Sequence, residues 1–429
     1  MNDPTTLDAG TVWTVTSAGL VLLMTPGLAL FYGGMTRAKS ALNMMMMSFV
    51  SMGLIGVVWV LWGYGMTHEP GWLGLVGNPL SDLGLSDAMA EGNLIPAAYA
   101  ATFAVIAVAL ISGAVADRAR FATWCVFVPV WVSLVYAPLA YMVWGGGLLS
   151  EEGAIGSRLG EALDFAGGLV VHISAGVAAL VLALFMGKRK GFGVDPAHRP
   201  HNVPFVMLGA AILWFGWFGF NGGAAQGGHQ LGLVWITTLA AGSAGMLGWI
   251  VVEWLRRGRP TSIGTASGIV SGLVAITPAC AYVSPVGAIV IGLVSGAASA
   301  LAVNLKYRLG FDDSLDVVGV HLTAGILGTV LIGFFALPSE GPAGLFYGGD
   351  ASLLLTQAVA VVVAVVFTAV VTAVIALVLR NTLGLRVSAE DEERGVDVTL
   401  HSETAYDVGF GAVPVPADAL AHTGERSAG

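Results

Sequence analysis

Long apolar stretches dominate this sequence, and each is long enough to cross a lipid bilayer as a helix. A membrane-spanning helix needs about 20 predominantly apolar residues. Only 10% of the 429 residues are charged, whereas soluble domains usually carry about 25%. We therefore predict an all-α polytopic membrane protein with eleven transmembrane helices, at approximately 11–34, 41–66, 94–115, 121–143, 166–187, 203–221, 230–255, 262–279, 285–305, 316–337 and 351–380.

Basic residues lie almost entirely in the loops that follow odd-numbered stretches. Arg37 and Lys39 follow the first stretch, and three basic residues at 188–190 follow the fifth. Of the 18 basic residues, only Arg158 falls in a loop that follows an even-numbered stretch. Because cytoplasmic loops are enriched in Lys and Arg, we predict that the N-terminus lies outside the cell and the C-terminus in the cytoplasm.

Two of the eight histidines lie deep within apolar stretches, each in nearly the same phrase. His172 is followed by Ile-Ser-Ala-Gly, and His321 by Leu-Thr-Ala-Gly. An ionisable side chain inside a membrane span is costly and marks a functional site by default. The two phrases are five stretches apart, so they cross in opposite directions, as in an inverted-topology repeat. We predict repeat halves at about 11–187 and 203–337, with 351–380 as an additional helix.

A carboxylate precedes each histidine by about two helical turns. Asp164 lies eight residues before His172, and Asp312 and Asp313 lie nine and eight before His321. At 1.5 Å per residue, both imidazoles would lie roughly 12–14 Å from their membrane face. That depth is near the middle of a hydrocarbon core about 30 Å thick. We expect one paired site, with Asp164 capping the helix that carries His172.

Seven short motifs follow one another along the chain, at 26–34, 142–149, 164–172, 216–221, 277–280, 312–321 and 384–387. Their order resembles that of the ammonium transporter family (Amt/Mep/Rh), on its bacterial-type Amt side. The resemblance covers essentially residues 10–410. It implies a homotrimer with one narrow pore per subunit, in the plasma or inner membrane, that carries ammonium or ammonia.

The resemblance also implies roles for individual side chains. Trp144 would attract the cation in an outer vestibule through a cation–π contact, which contributes about 0.5–2 kcal/mol. Phe103 and Phe220 match the stacked aromatic gate below that vestibule. His172 and His321 would share a hydrogen bond across the conducting lane, because a neutral imidazole has one donor and one acceptor nitrogen.

One position departs from the family pattern at the outer site. The family usually has a serine that helps to bind the recruited cation where this chain has Ala224, and a methyl group accepts no hydrogen bond. Tyr99 stands where the family commonly has phenylalanine, and its hydroxyl is one candidate to compensate. Water, Thr277 or a backbone carbonyl are the alternatives. The negative field of Asp164 would also favour a nearby cation.

The chain becomes polar after the last apolar stretch. We predict a membrane domain at 1–380 and a cytoplasmic tail at 381–429, ordered to about Asp407 and disordered beyond. The tail resembles the family's regulatory segment, which implies a PII-type nitrogen regulatory protein as a partner at the cytoplasmic face. Its acidic run faces a basic surface that includes Lys188, Arg189 and Lys190, so we expect charge-assisted contacts that lock the tail against a neighbour. The tail residues that carry this prediction are Arg386, Glu393, Arg394, Gly395 and Asp397.

The leading function is transport: ammonium is recruited at the vestibule and deprotonated, and ammonia passes the two histidines. A second hypothesis is an ammonium sensor with little flux, although the segment 381–429 is too short for a signalling domain. A third is a haem protein with His172 and His321 as axial ligands. The sequence has no phosphate loop, nucleophile elbow or zinc-ligand spacing. We therefore expect no enzyme activity, no cofactor, no metal and no nucleic-acid partner.

Overall fold

The computed structural model describes residues 8–68, 70–194 and 200–406. The disorder expected beyond Asp407 lies outside these residues. The described chain is almost entirely helical, with one two-stranded antiparallel hairpin, β1 (Gly71–Trp72) and β2 (Val76–Gly77). Its α-helices are α1 Ala9–Met35, α2 Ala41–Val58, α3 Ser86–Ala90, α4 Leu94–Ile111, α5 Phe121–Trp131, α6 Ala137–Trp144, α7 Gly156–Leu159, α8 Ser174–Met186, α9 Val203–Gly222, α10 Gly227–Arg257, α11 Ser262–Ile276, α12 Pro285–Ala302, α13 Leu305–Leu309, α14 Thr323–Phe335, α15 Ser352–Thr382, α16 Ala389–Arg394 and α17 Val396–His401.

Ten helical segments among the described residues are long and apolar enough to cross a membrane, which confirms the prediction of an all-α polytopic membrane protein. The helix expected over 262–279 is shorter: α11 has 15 residues and ends at Ile276. Pro278 lies just beyond this end, and proline has no amide hydrogen with which to continue the helical ladder. The ten segments are Ala9–Met35, Ala38–Gly63, Leu94–Val115, Phe121–Trp144, Gly168–Met186, Val203–Gly222, Gly227–Arg257, Pro285–Leu309, Val318–Phe335 and Ser352–Thr382.

Four membrane segments contain a π-helical turn. Two of these turns, Gly168–Ile173 and Val318–Leu322, carry the two histidines. The other two are Trp59–Gly63 and Val132–Tyr136. A π-turn inserts one extra residue per turn, is rare, and is frequent at functional sites. The two histidines therefore occupy the same unusual local structure.

Glycines bring α1 and α9 into close contact. A side chain at Gly209 would come within 2.4 Å of the backbone nitrogen of Phe31, and one at Gly216 would meet Met24 at 2.3 Å. Small residues allow helix backbones in membranes to approach closely. The contact fixes Phe31 and Tyr32 on α1 beside Trp217 and Phe220 on α9, and all four side chains are buried.

Candidate functional site

An aromatic cavity of about 520 Å³ opens on the side of the bundle where α6 ends and α4 begins. Trp144, Tyr99, Phe103 and Ala224 all line it, so the structure brings these predicted recruitment and gate residues together. The Trp144 side chain is 43% exposed, and its Nε1 donates to the carbonyl oxygen of Asp164 at 2.7 Å. The indole is thus held at the cavity by a backbone contact, with much of its surface accessible.

The hydroxyl of Tyr99 and that of Thr277 are both engaged within the protein. Tyr99 Oη lies 2.6 Å from the carbonyl oxygen of Phe220. Thr277 Oγ1 accepts from Trp217 Nε1 at 2.9 Å and donates to the carbonyl oxygen of Leu273 at 2.8 Å. Thr277 is fully buried and is not among the residues that line the cavity. Neither hydroxyl is therefore a simple substitute for the serine that Ala224 replaces.

Two phenylalanine rings close the bottom of the cavity. The rings of Phe103 and Phe220 are stacked, with centroids 4.2 Å apart and an interplanar angle of 24°. Both side chains are buried. Phe103 comes from α4 and Phe220 from the last turn of α9. The stack lies between the aromatic cavity, which Phe103 lines, and a second cavity of about 20 Å³, which Phe220 lines.

The two histidines meet in that second cavity. Their Nδ1 atoms are 3.3 Å apart and their rings are nearly parallel, with an interplanar angle of 23°. Both side chains are buried, and His172 Nε2 has no hydrogen-bond partner among the described residues. One Nδ1 must carry the shared hydrogen while the other accepts it. His172 and His321 therefore form a hydrogen-bonded pair beside a space of about 20 Å³, which has room for about one water molecule and none for a porphyrin.

A carboxylate caps each π-turn that carries a histidine. Asp164 accepts hydrogen bonds from four backbone amides at 2.5 to 3.2 Å, those of residues 167–170. Asp313 accepts from the amides of Val317 and Val318 at 3.1 and 2.8 Å. Such amides have no partner within the helix. Of the two aspartates considered before His321, Asp313 therefore has the capping contact.

Two aromatic residues with polar ring groups line the small cavity and are missing from the sequence prediction. Trp217 stacks on His172, with centroids 5.4 Å apart and an interplanar angle of 22°. Tyr32 lines the small cavity, and its hydroxyl donates to the carbonyl oxygen of Leu110 at 3.0 Å. Both lie inside segments that carry the family resemblance, 216–221 and 26–34, so those motifs contained a usable signal. Spacing alone gives no reason to choose them from among the other buried aromatic residues.

The tail folds back onto the same chain. Asp397 accepts from the amides of Leu42 and Asn43 at 3.0 and 2.8 Å and so caps the start of α2. Gly395 has a positive φ of 111°, and a side chain there would meet Lys39 at 2.7 Å. Only glycine fits this close approach in this conformation without strain. These contacts attach the tail to the loop between α1 and α2.

A second set of tail contacts reaches the loop after α8. Arg386 pairs with Glu392 at 2.7 Å, and Glu392 also accepts from the amide of Lys190 at 2.7 Å. Lys190 Nζ pairs with Glu393 at 2.6 Å on the surface. Arg394 is exposed. The sequence prediction omitted Glu392, which is the buried member of the acidic run.

Arg189 does not face the acidic tail, contrary to the sequence prediction. Its guanidinium is buried between Asp117 and Asp312, with contacts of 2.8 and 2.9 Å. Burial opposes ionisation of these carboxyls, but the neighbouring guanidinium holds the pKa of each below its usual value. A buried guanidinium needs such partners to offset its desolvation. Arg189 therefore joins three loops at the end of the bundle where the tail folds back, instead of binding the tail.

Comparisons with known proteins place these features in a family context. The chain matches the family model described as "Ammonium Transporter Family" over residues 12–406. An ammonium transporter of Mycobacterium tuberculosis (strain ATCC 25618 / H37Rv) is 47% identical over 442 residues, covering 95% of this chain and 92% of that relative. One of Bacillus subtilis (strain 168) is 45% identical over 409 residues, covering 92% and 98%.

Solved structures agree with this similarity in fold. A structure described as "Sensor Amt Protein" has a TM-score of 0.84 at 28% identity, covering 91% of this chain and 97% of that one. The crystal structure of Saccharomyces cerevisiae Mep2 has a TM-score of 0.81 at 33% identity, covering 90% and 89%.

Proposed function

Because this chain belongs to the ammonium transporter family, whose members are transporters rather than enzymes, we propose that it carries ammonium or ammonia across a cell membrane. The observation that most supports this proposal is the buried pair His172 and His321, with Nδ1 atoms 3.3 Å apart directly below a stacked aromatic gate. The route consists of an outer vestibule, the gate and the histidine lane.

Recruitment takes place in the outer aromatic cavity. The exposed face of Trp144 and the ring of Tyr99 attract a cation through their negative π-faces. Ala224 contributes no side-chain hydrogen bond, so the aromatic faces of Trp144 and Tyr99 supply the attraction in this cavity. Asp164 contributes a negative field from beside the cavity, while its oxygens remain bound to backbone amides.

Deprotonation follows from the change of environment at the gate. Charged groups lose most of their hydration energy in an apolar cavity, so ammonium that reaches the rings of Phe103 and Phe220 is favoured to release one proton to the water of the open vestibule and to continue past the rings as ammonia. His172 and His321 then offer ammonia a donor and an acceptor nitrogen. Trp217 holds the His172 ring in place by stacking on it.

The membrane arrangement is part of the same proposal. Ten long segments and the shorter α11 make eleven crossings, with inverted halves at about 11–187 and 203–337. The N-terminus lies outside, the tail lies in the cytoplasm, and three copies assemble in the plasma or inner membrane. The paired capping aspartates, Asp164 and Asp313, and the two π-turns support a duplicated origin.

Transport is tested most simply with purified protein in proteoliposomes. An inward ammonium jump should produce a transient current or an internal pH change that scales with the amount of protein, and His172→Ala should abolish it. Protein-containing vesicles that respond as empty vesicles do, although the protein is folded, would refute the proposal.

A sensor with little flux is the second candidate, because one structural relative is described as a "Sensor Amt Protein". A sensor would bind ammonium with normal affinity but would not support growth on limiting ammonium. Expression in cells that lack their own ammonium transporters separates the two, since only a transporter restores growth.

The docked tail supports a regulatory role at the cytoplasmic face, with a PII-type nitrogen regulatory protein as partner. Arg386, Glu393, Arg394, Gly395 and Asp397 form or flank the surface that such a partner would contact. Truncation after Leu385 should reduce transport and abolish regulator binding while the helix bundle stays folded. Normal transport and undiminished binding of the regulator by the truncated protein would contradict this role.

A further inference from the structure

The hydroxyl of Tyr99 contacts the backbone of the gate residue itself. We propose that Tyr99 is a positioning residue that holds the two halves of the aromatic gate together, and that its hydroxyl does not replace the missing serine as a cation ligand. This inference rests on the proposed transport function, because the gate matters only if substrate passes it. Three observations carry it.

The first observation concerns the end of α9. This helix ends at Gly222, and its last carbonyl groups have no amide partner within the helix. The amide of Gly223 donates a hydrogen bond to the carbonyl oxygen of Gly219 at 2.9 Å. Tyr99 Oη lies 2.6 Å from the carbonyl oxygen of Phe220 and 3.2 Å from that of Gly219. The single hydroxyl hydrogen is therefore best directed at the carbonyl oxygen of Phe220, the closer of the two. It takes the place of the backbone amide that this carbonyl lacks at the helix end.

The second observation is that this bond closes a ring of contacts around the gate. Tyr99 and Phe103 are four residues apart on α4, a spacing that places them on the same helix face. The Tyr99 ring meets Phe103 edge-on, with centroids 4.8 Å apart. Phe103 stacks on Phe220, and the Phe220 carbonyl accepts from Tyr99. The two gate rings are thus held by their own stacking and by one hydrogen bond between the helices that carry them.

The third observation is the close fit of the Tyr99 ring against Gly223. A Cβ at Gly223 would lie 2.5 Å from Tyr99 Cε2, so the absence of a side chain there is what lets the ring reach the helix end. Gly223 immediately precedes Ala224. The short side chains at 223 and 224 and the long side chain at 99 therefore form one complementary surface. In this surface the phenol oxygen faces the backbone of α9.

Tyr99→Phe removes the hydroxyl and keeps the ring that lines the vestibule. Methylammonium is bulkier than ammonium and reports on how readily the gate opens. We expect the maximal rate for methylammonium, relative to that for ammonium, to rise about two- to tenfold, the range that corresponds to the net contribution of one hydrogen bond. The half-saturation concentration for ammonium should stay unchanged, because the aromatic recruitment surface is intact.

Hydrogen–deuterium exchange provides a readout that needs no transport. In Tyr99→Phe, the amides of 219–225 should exchange faster than in the wild-type protein, because the end of α9 has lost its tie to α4. Tyr136→Phe is the matched control, since Tyr136 lines the same cavity from another helix. It removes a hydroxyl from that cavity and should leave exchange at 219–225 at the wild-type level.

The outcomes separate the alternatives. Faster exchange at 219–225 together with a raised methylammonium ratio supports the proposal. Unchanged exchange at 219–225 would show that the Tyr99 hydroxyl does not hold the end of α9. Faster exchange with an unchanged methylammonium-to-ammonium rate ratio would show that this hydrogen bond has no role in the gate. A higher half-saturation concentration with an unchanged ratio would instead make the hydroxyl a cation ligand. If the wild-type protein transports nothing, the proposed function fails on that result alone, while the exchange experiment still decides whether Tyr99 holds the end of α9.

Discussion

Replacing Asp397 with alanine is expected to release the C-terminal tail from the helix bundle. The Asp397 side chain is a cap supplied by a distant part of the chain: its two oxygens accept from the amides of Leu42 and Asn43, in the first turn of α2. Alanine removes both acceptors and the negative charge. The bundle retains its own contacts, so the effect should be confined to the tail and to the start of α2.

The magnitude follows from two contributions. Loss of a side-chain cap costs about 0.5–2 kcal/mol, and loss of a negative charge at a helix N-terminus costs about 0.3–1 kcal/mol more. The total is about 1–3 kcal/mol. Since about 1.36 kcal/mol corresponds to a tenfold change in an equilibrium constant, the undocked population of the tail should grow roughly 5- to 150-fold. The undocked population in Asp397→Asn should lie between those of the wild-type protein and Asp397→Ala, because the single amide oxygen can accept from only one of the two backbone amides.

Hydrogen–deuterium exchange of the purified protein measures this change. Peptides that cover α16 and α17 should exchange faster in Asp397→Ala, while those from α9 should match the wild-type protein. Glu390→Ala is the control, because Glu390 is an exposed member of the same tail and its removal also deletes one negative charge. If the peptides of α16 and α17 exchange at the same rate in Asp397→Ala and Glu390→Ala, the Asp397 cap does not hold the tail.

Three further predictions concern Ala224, the buried ion pairs of Arg189 and the effect of pH on the tail. Ala224→Ser should lower the half-saturation concentration for ammonium, by at most the worth of one hydrogen bond to a charge, about 1.5–3 kcal/mol; an unchanged value would make this position irrelevant here. Arg189→Met should leave Asp312 buried without its ion-pair partner and Asp117 with Arg37 alone, 3.4 Å away, and should reduce stability by about 3–5 kcal/mol, so an unchanged thermal unfolding midpoint in detergent would contradict the assigned pairing. Burial lowers the pKa of His401 in the docked tail, so the docked tail favours the neutral ring. The stabilisation that this ring contributes to docking is therefore fully present above the ordinary histidine pKa of about 6.5. It is lost as the pH falls below that value. Limited proteolysis at pH 7.5 and 5.5 should therefore show a more accessible tail at the lower pH, and the same pH dependence in His401→Gln would refute this role.

The sequence carried enough information to find the histidine pair. A buried ionisable group is costly in a membrane, so two of them in one repeated phrase point to a single site. The structure places both rings in one cavity. Helix spacing likewise predicted that Asp164 would cap the turn before His172, because an unpaired helix end attracts the nearest carboxylate.

Contacts between distant segments were beyond the reach of such reasoning. Arg189 looked like a partner for the acidic tail, because charge alone does not say which of several carboxylates a guanidinium reaches. Asp312 and Asp313 are adjacent in sequence, yet one binds that guanidinium and the other caps a helix. The hydrogen bond of the Tyr99 hydroxyl was equally unpredictable, because its acceptor is a backbone carbonyl on another helix, which no side-chain pattern reveals.

Helix length was a further point that apolar composition alone did not settle. The stretch 262–279 reads as a full membrane span, but α11 ends at Ile276. The apolar pattern continues through the proline that follows, whereas the backbone hydrogen-bond ladder does not. Apolar composition therefore predicts that a segment can lie in the membrane, whereas the backbone hydrogen bonds determine where its helix ends.

The central claim is that the paired histidines form the lane through which substrate passes. The most direct measurement is the current or internal pH change produced by an ammonium jump across proteoliposomes that contain wild-type protein, His172→Ala, His321→Ala or both substitutions. We expect a response from the wild-type protein and loss of selective ammonium transport in all three variants, each with an unchanged thermal unfolding transition. A double variant that retains the wild-type rate and the wild-type preference for ammonium over potassium would contradict it.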